Sequence, residues 1–265
     1  MTRDDSNWAT PVKTPEASDT PVEGPKARDD AASWATPSAA LRVGEMPEGA
    51  INLNVAGRRL VGPIQGFGQL WQKTYRVRLG GAVSPADVIR EWKANYASYW
   101  PAGNRFYAPV SGLEPGDVVV INAASLGGVQ LSTGIRVIYA DDESFSFMNA
   151  EGHPAAGMIT FSAVRDDAGV CAQVQALVRA NDPFYDLLLP LYGHRAEDQM
   201  WTKTLAALAA HFGAPAEVAT ERVLVDRRRN WSQAKNVWKS AAIRSGLYMF
   251  GAPIRWARRF VTRAT

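Results

Sequence analysis

Three observations make this 265-residue sequence an α+β protein. Between Asp117 and Ala180, five runs of strand character follow one another with only turn residues between them. A long stripe of apolar side chains at helical spacing comes next, from Phe184 to Leu208. The composition, 46% hydrophobic and 21% charged, suffices for one ordinary core of about 150–200 residues with appendages. A lone Cys171 allows no internal disulfide, so packing must hold the fold.

The elements follow in order. Residues 1–50 carry six of the sixteen prolines and nine acids against five bases, with few large aliphatic side chains. Burial there cannot offset the entropy of ordering, so the segment reads as a disordered tail. It holds an echo, Asn7-Trp8-Ala9-Thr10-Pro11 and Ser33-Trp34-Ala35-Thr36-Pro37, which is either a duplicated docking motif or drift of a low-complexity segment. Order begins near Ile51. From Trp71 to Leu79 the residues alternate, with Trp71, Tyr75, Val77 and Leu79 on one face, as in a half-buried strand. Ser84-Pro85-Ala86-Asp87 then combines a serine cap, a first-turn proline and a first-turn acid, which predicts a helix to about Tyr99 with Val88, Ile89, Trp92 and Tyr96 as its apolar stripe.

The five predicted strands are Asp117–Ala123, Val129–Tyr139, Ser144–Asn149, Met158–Arg165 and Val170–Arg179. Their connections are short enough to make neighbours antiparallel. Asn181-Asp182-Pro183 repeats the start signal and opens a predicted long helix reaching Phe212, kinked at Pro190 and ended by Gly213. The domain reading is a tail over 1–50, a folded unit over 51–213 and a basic, amphipathic helical extension over 214–265.

Strand, helix, antiparallel meander and long helix is the order of the helix-grip fold. The chain from about Leu70 to Gly213 resembles the START/polyketide-cyclase-like (SRPBCC) superfamily. The run Gly134-Ile135-Arg136-Val137-Ile138-Tyr139, then Phe145 to Pro154 and Gly157 to Phe161, is similar to an uncharacterised bacterial branch, a domain of unknown function with an aromatic strand ending in a Gly-His-Pro loop. Ala155, Ala156, Met158 and Ile159 depart from that branch where charged residues are expected. The resemblance implies a curved antiparallel sheet wrapped around the long helix, with a cavity for a lipid, polyketide or isoprenoid-like molecule, and in some members cyclase, dehydratase or hydrolase chemistry.

Tyr75, Trp92, Tyr139, Phe145, Phe147 and Phe161 are the candidate lining of such a cavity; as alternating aromatics they are equally the material of a plain core. His153 is the candidate general acid or base, with Glu151 near enough in sequence to orient it, and its competing reading is a loop-capping side chain. His194, Arg195, Glu197 and Asp198 read as a solvated face or as polar groups at a cavity mouth. Cys171 reads as an inert buried thiol. With three histidines and one cysteine no metal set stands out, and no phosphate-cradling loop or nucleophile elbow appears, so neither metal nor cofactor is expected.

The formal net charge of +3 hides an asymmetry. From Glu221 to Thr265 there are eleven Lys/Arg against Glu221 and Asp226, about +9, leaving about −6 for the rest. Arg227, Arg228, Arg229, Trp231, Trp238, Trp256, Arg258 and Arg259 interleave arginine with tryptophan, the pattern of an interfacial helix on an anionic membrane. Docking on a partner or on the chain itself competes with that reading, and nucleic acid has no recognition module to support it. The acidic, polar start (Met1-Thr2-Arg3-Asp4-Asp5) is no signal peptide and no apolar run has spanning length, so the expected location is the cytoplasm, with a peripheral membrane association. Three functional classes follow: a binder of a small hydrophobic ligand, a cavity enzyme using His153, and an interaction scaffold. Oligomeric state is not legible.

Overall fold

The computed structural model describes residues 29–45, 49–80, 82–108, 113–124, 130–188 and 193–251. In chain order the elements are β1 (Leu60–Val61), β2 (Leu70–Gly80), α1 (Pro85–Ala94), a 3-10 turn (Tyr96–Tyr99), β3 (Arg105–Tyr107), β4 (Val118–Ala124), β5 (Gln130–Ala140), β6 (Ser144–Ala150), β7 (Ala155–Asp166), β8 (Gly169–Ala180), α2 (Pro183–Leu188), α3 (His194–His211), β9 (Val218–Asp226), a 3-10 segment (Trp231–Lys239) and α4 (Ala241–Phe250). The strands make one curved antiparallel sheet in the order β3-β4-β5-β6-β7-β8-β2-β9, with β1 bridging to β6. The fold is α+β.

The five-strand meander stands where the alternation and turn residues put it, and each link is a direct antiparallel pairing. The N-cap of α1 is the predicted one, since Ser84 Oγ accepts the backbone N–H of Asp87 at 3.1 Å behind Pro85. Val88, Ile89 and Trp92 of α1 are buried as its stripe requires.

Three expectations need correction, and a fourth falls partly outside the described residues. The predicted long helix from Asn181 is seen as α2 and α3, with residues 189–192 between them outside the described residues. Asp182 does cap its start, accepting from the Tyr185 N–H at 3.0 Å, but α2 ends at Leu188 and α3 begins at His194. Pro190, which has no N–H to continue a helix, lies outside the described residues. The extension after Gly213 is not wholly helical either: β9 pairs with β2 from Val77↔Val218 to Leu70↔Asp226 and completes the sheet edge. Its charges, Glu221 and Arg222, sit on an edge strand, where they discourage further pairing.

The tail reading fails for residues 29–45. Trp34 bridges to Tyr139, Ala35 N–H donates to Ile138 at 2.9 Å, and Leu41 is buried with Val55, Val120 and Ala150. Residues 1–28, with the first copy of the Trp-Ala-Thr-Pro echo, lie outside the described residues, as do residues 252–265. The helix expected to reach Tyr99 is α-helical only to Ala94, then 3-10.

The sheet has two different faces. On the inner one, α1, the Tyr96–Tyr99 turn and α3 pack over Tyr75, Val77, Ile135, Val137, Phe145, Phe147, Phe161 and Val174 in one buried apolar cluster, to which α3 contributes Trp201, Leu205, Leu208 and Ala209. The outer face carries the N-terminal segment and α4. Gly134 belongs there because a Cβ at that position would lie 2.7 Å from a Val55 methyl and 2.6 Å from the Val119 carbonyl.

Candidate functional site

Across β6 and β7, Phe145 stands opposite Phe161 in register and the rings stack at 4.6 Å. Trp92 from α1 meets Phe161 edge-on at 5.2 Å, Tyr96 meets it at 5.4 Å, and Trp201 from α3 meets it at 5.5 Å. Phe147 lies 5.0 Å from Phe161. Five of the six predicted lining residues, Tyr75, Trp92, Phe145, Phe147 and Phe161, therefore share one interior.

Tyr139 does not join them. The β5–β6 register shifts between Val137 and Tyr139, so one extra residue turns the strand's phase and puts Tyr139 on the outer face. There its ring lies 4.7 Å from Trp34 and its hydroxyl donates to Asp141 at 2.6 Å. Alternation alone cannot reveal such a bulge.

Where α3 crosses β2 and β9, the same interior becomes polar. Lys73 is 1% exposed, and its ammonium bonds the Glu197 carboxylate with Asp198 3.9 Å away. The Tyr75 hydroxyl donates to Asp198 at 2.7 Å, and Arg222 of β9 binds the other Asp198 oxygen. Burial, reinforced by Glu197 and Asp198, pushes the Tyr75 phenol far above its ordinary value, so it stays protonated. His194 packs edge-on against Trp71 at 5.2 Å. Burial first, then Lys73 and Arg222, pulls its pKa down to about 4, which keeps the ring neutral, and its buried Nδ1 has no hydrogen-bond partner among the described residues.

One helix stripe carries the whole transition: His194, Glu197 and Asp198 in the first turns of α3, then Trp201, Leu205 and Leu208. The acid-rich start of α3 was visible in the sequence. Lys73 was missed, although it stands in phase with Trp71 and Tyr75 on the apolar side of an alternating strand. Further donors in these walls have no partner among the described residues, Trp92 Nε1, Trp201 Nε1 and Thr204 Oγ1 among them.

His153 occupies a different place. Its Nδ1 lies 3.0 Å from both the N–H and the carbonyl of Ala155, and burial lowers its pKa to about 4, so the ring is neutral. Glu151 does not orient it. Burial works against that carboxylate's charge, but Lys239 at 2.6 Å and Arg59 at 3.1 Å outweigh it and hold the group below its usual value. The loop's other neighbour is the C-terminal segment: Ala241 N–H donates to the Gly152 carbonyl at 2.8 Å, and a Cβ on Gly152, whose φ is +91°, would lie 2.1 Å from the Lys239 carbonyl. Cys171 is buried in β8, and burial raises its thiol pKa.

Of the cationic candidates, Arg228 pairs with Asp226 at 3.2 Å and Arg229 with Asp186 at 2.7 Å, while Arg227 is exposed. Trp231 and Trp238 are both largely exposed. Trp256, Arg258 and Arg259 lie outside the described residues. Among the described residues no helix is long and apolar enough to cross a membrane.

Comparison with solved structures returns partial likenesses. The di-domain ARO/CYC protein StfQ of the steffimycin biosynthetic pathway aligns over 54% of this chain at 10% identity and TM-score 0.42, so the match spans 50% of that protein's length. An uncharacterised Rhizobium leguminosarum protein aligns over 54% of this chain and 96% of its own, at 15% identity and TM-score 0.40. The KanY protein aligns over 56% and 99%, at 12% identity and TM-score 0.41. No curated protein matches. Residues 68–207, from just before β2 to the last turns of α3 and so including most of the aromatic interior and Lys73, Tyr75, Glu197 and Asp198, match the model described as a domain of unknown function, DUF1990, and the chain belongs to that family.

Proposed function

We propose that the chain holds a small, largely apolar molecule bearing oxygen acceptors between α3 and the inner face of the sheet, in the manner of the helix-grip superfamily its element order resembles. The observation that carries this reading is a set of buried donors without a partner among the described residues, Trp92 Nε1, Trp201 Nε1 and Thr204 Oγ1, on helices that face an aromatic interior. A buried donor left unsatisfied costs about 1–3 kcal/mol, which a ligand carbonyl or hydroxyl would offset. Aromatic walls with few polar groups suit flat or polyunsaturated carbon skeletons. Among lipid, isoprenoid-like and polyketide-like ligands, the donors favour the oxygen-rich class.

Native mass spectrometry and solvent extraction of the purified chain test the reading, followed by thermal shift against aromatic polyketones, fatty acids and isoprenoids. The polyketones are expected to stabilise most. Trp201→Phe, which keeps an aromatic ring and removes the N–H, is expected to weaken them about tenfold. An empty chain that no compound in the panel stabilises overturns the proposal.

A cavity enzyme is the second reading. It is favoured by two hydrogen-bonded pairs, Lys73 with Glu197 and Tyr75 with Asp198, joined by a 3.9 Å contact between Lys73 and Asp198 at the border of the apolar interior, an arrangement able to exchange protons with a ligand oxygen. Tyr75→Phe separates the readings: it leaves turnover of a bound ligand intact if the cluster only binds and removes it if the phenol takes part. His153 keeps its own test, because a His153→Ala chain with unchanged conversion excludes it as the acid or base.

A further inference from the structure

The C-terminal segment packs with its polarity inverted. In α4 the residues turned to the protein are Ala241 and Ser245, and Ser245 Oγ accepts from the Ser132 N–H and from Asn54 Nδ2, each at 3.2 Å. Arg244 Nε donates to Asn54 Oδ1 at 2.9 Å. The stripe at i, i+4, i+7 turned to solvent is Ile243, Leu247 and Phe250, the last two 69% and 81% exposed.

The preceding 3-10 segment does the same with a period of three. Asn236 faces inward, donating to the carbonyls of Gln65 at 2.8 Å and Asn181 at 3.0 Å, and Lys239 binds Glu151. Lys235 and Trp238 face outward, Trp238 84% exposed. Water alone favours the opposite arrangement, and a contiguous helical stripe of large apolar groups is more than the scattered exposure usual on a surface.

The charge around the stripe specifies its occupant. From Arg227 to the end, the chain has ten Lys/Arg and no Asp or Glu. Of these, Arg228 is 90% exposed and Lys235 sits one 3-10 turn before Trp238. Aliphatic and tryptophan side chains set among cations match the boundary between acyl chains and anionic headgroups. We propose that Trp238, Ile243, Leu247 and Phe250 form a surface that docks on an anionic lipid membrane, while the Asn236 and Ser245 side stays bound to the protein. The proposal is independent of what the interior holds.

Flotation of the full chain with vesicles of phosphatidylcholine alone, or mixed with phosphatidylglycerol, tests it. Binding is expected to the mixed vesicles only and to fall as salt is added. The triple variant Trp238→Ser, Leu247→Ser, Phe250→Ser is expected to keep the wild-type melting curve, because these side chains are exposed, and to lose at least tenfold in bound fraction. Arg227→Glu with Lys235→Glu, a change at two exposed cations, is expected to weaken binding as well. The proposal is overturned if the chain never floats, if it floats equally with neutral vesicles, or if either variant binds like wild type. It is also overturned if light scattering shows a lipid-free dimer that the triple variant turns into a monomer, which would assign the stripe to a second copy of the chain.

Discussion

Strand β5 packs by different physics on its two sides. Inward, Ile135 and Val137 belong to the apolar cluster that also holds rings and aliphatic groups of α1, β6, β7 and α3, a packing of shape and area. Outward, Ser132 and Arg136 are held by hydrogen bonds: Ser132 to Ser245 of α4, and Arg136 to the carbonyl of Thr36 in the N-terminal segment and to that of Gly116 before β4. The inner contact is non-directional and follows from hydropathy. The outer one depends on individual donors meeting individual acceptors, so it anchors segments that composition alone would leave loose.

The sharpest test of this contrast is Phe161→Ala. Phe161 touches Trp92, Tyr96, Phe145, Phe147 and Trp201, and the void left behind is expected to cost about 3–5 kcal/mol, read as a fall in the urea midpoint for the whole domain. Removing one partner of the buried ion pair comes next. Lys73→Met is expected to cost about 3 kcal/mol by leaving Glu197 without its cation, and adding Glu197→Gln should recover much of the loss in a double-mutant cycle. No recovery would mean the pair is not coupled.

Acid distinguishes the two faces by a different route. His153 and His194 both have folded pKa values near 4, below the ordinary 6.5, so the unfolded chain takes up protons first as the pH falls. Stability is therefore complete above about 6.5 and declines toward 4, by up to about 3 kcal/mol for the buried His153 and by less for the half-buried His194. His153→Asn and His194→Asn should each flatten part of that slope in pH-dependent urea unfolding. A slope that neither variant changes would assign it to carboxylates instead. The smallest effect belongs to the outer face. Asn54→Ala removes contacts to Ser132, Ser245 and Arg244 and is expected to cost about 1–2 kcal/mol, with faster amide exchange confined to α4 and its contacts. Faster exchange in β6 and β7 as well would show that the two faces are not energetically separate.

What was legible followed from periodicity and end signals. The meander and the start of α1 showed because alternation, glycine and acidic turns and a Ser-Pro cap are local properties of the chain. Tyr139 was misplaced because a one-residue register shift leaves no mark on hydropathy. Strand β9 was hidden because Glu221 and Arg222 made the region read as cationic tail, whereas its pairing with β2 uses backbone groups common to every residue. Residues 29–45 looked too polar to order, and they are held by the Trp34–Tyr139 contact, the Arg136 bond to Thr36 and the burial of Leu41. In the candidate site, the aromatic wall was visible and the Lys73–Glu197 contact was not, since 124 residues separate its partners.

By itself, then, the sequence determined which segments alternate, which turn, where two helices begin and that Tyr75, Trp92, Phe145, Phe147 and Phe161 face inward, because each of these is set within a few residues. Tertiary structure alone decided that a lysine, a tyrosine and two carboxylates meet beneath α3, that Tyr139 faces outward, and that the C-terminal helix binds through its polar side. Those outcomes rest on register and on hydrogen bonds between distant parts of the chain, where the identity of the partner, and not the pattern of the neighbours, sets the free energy.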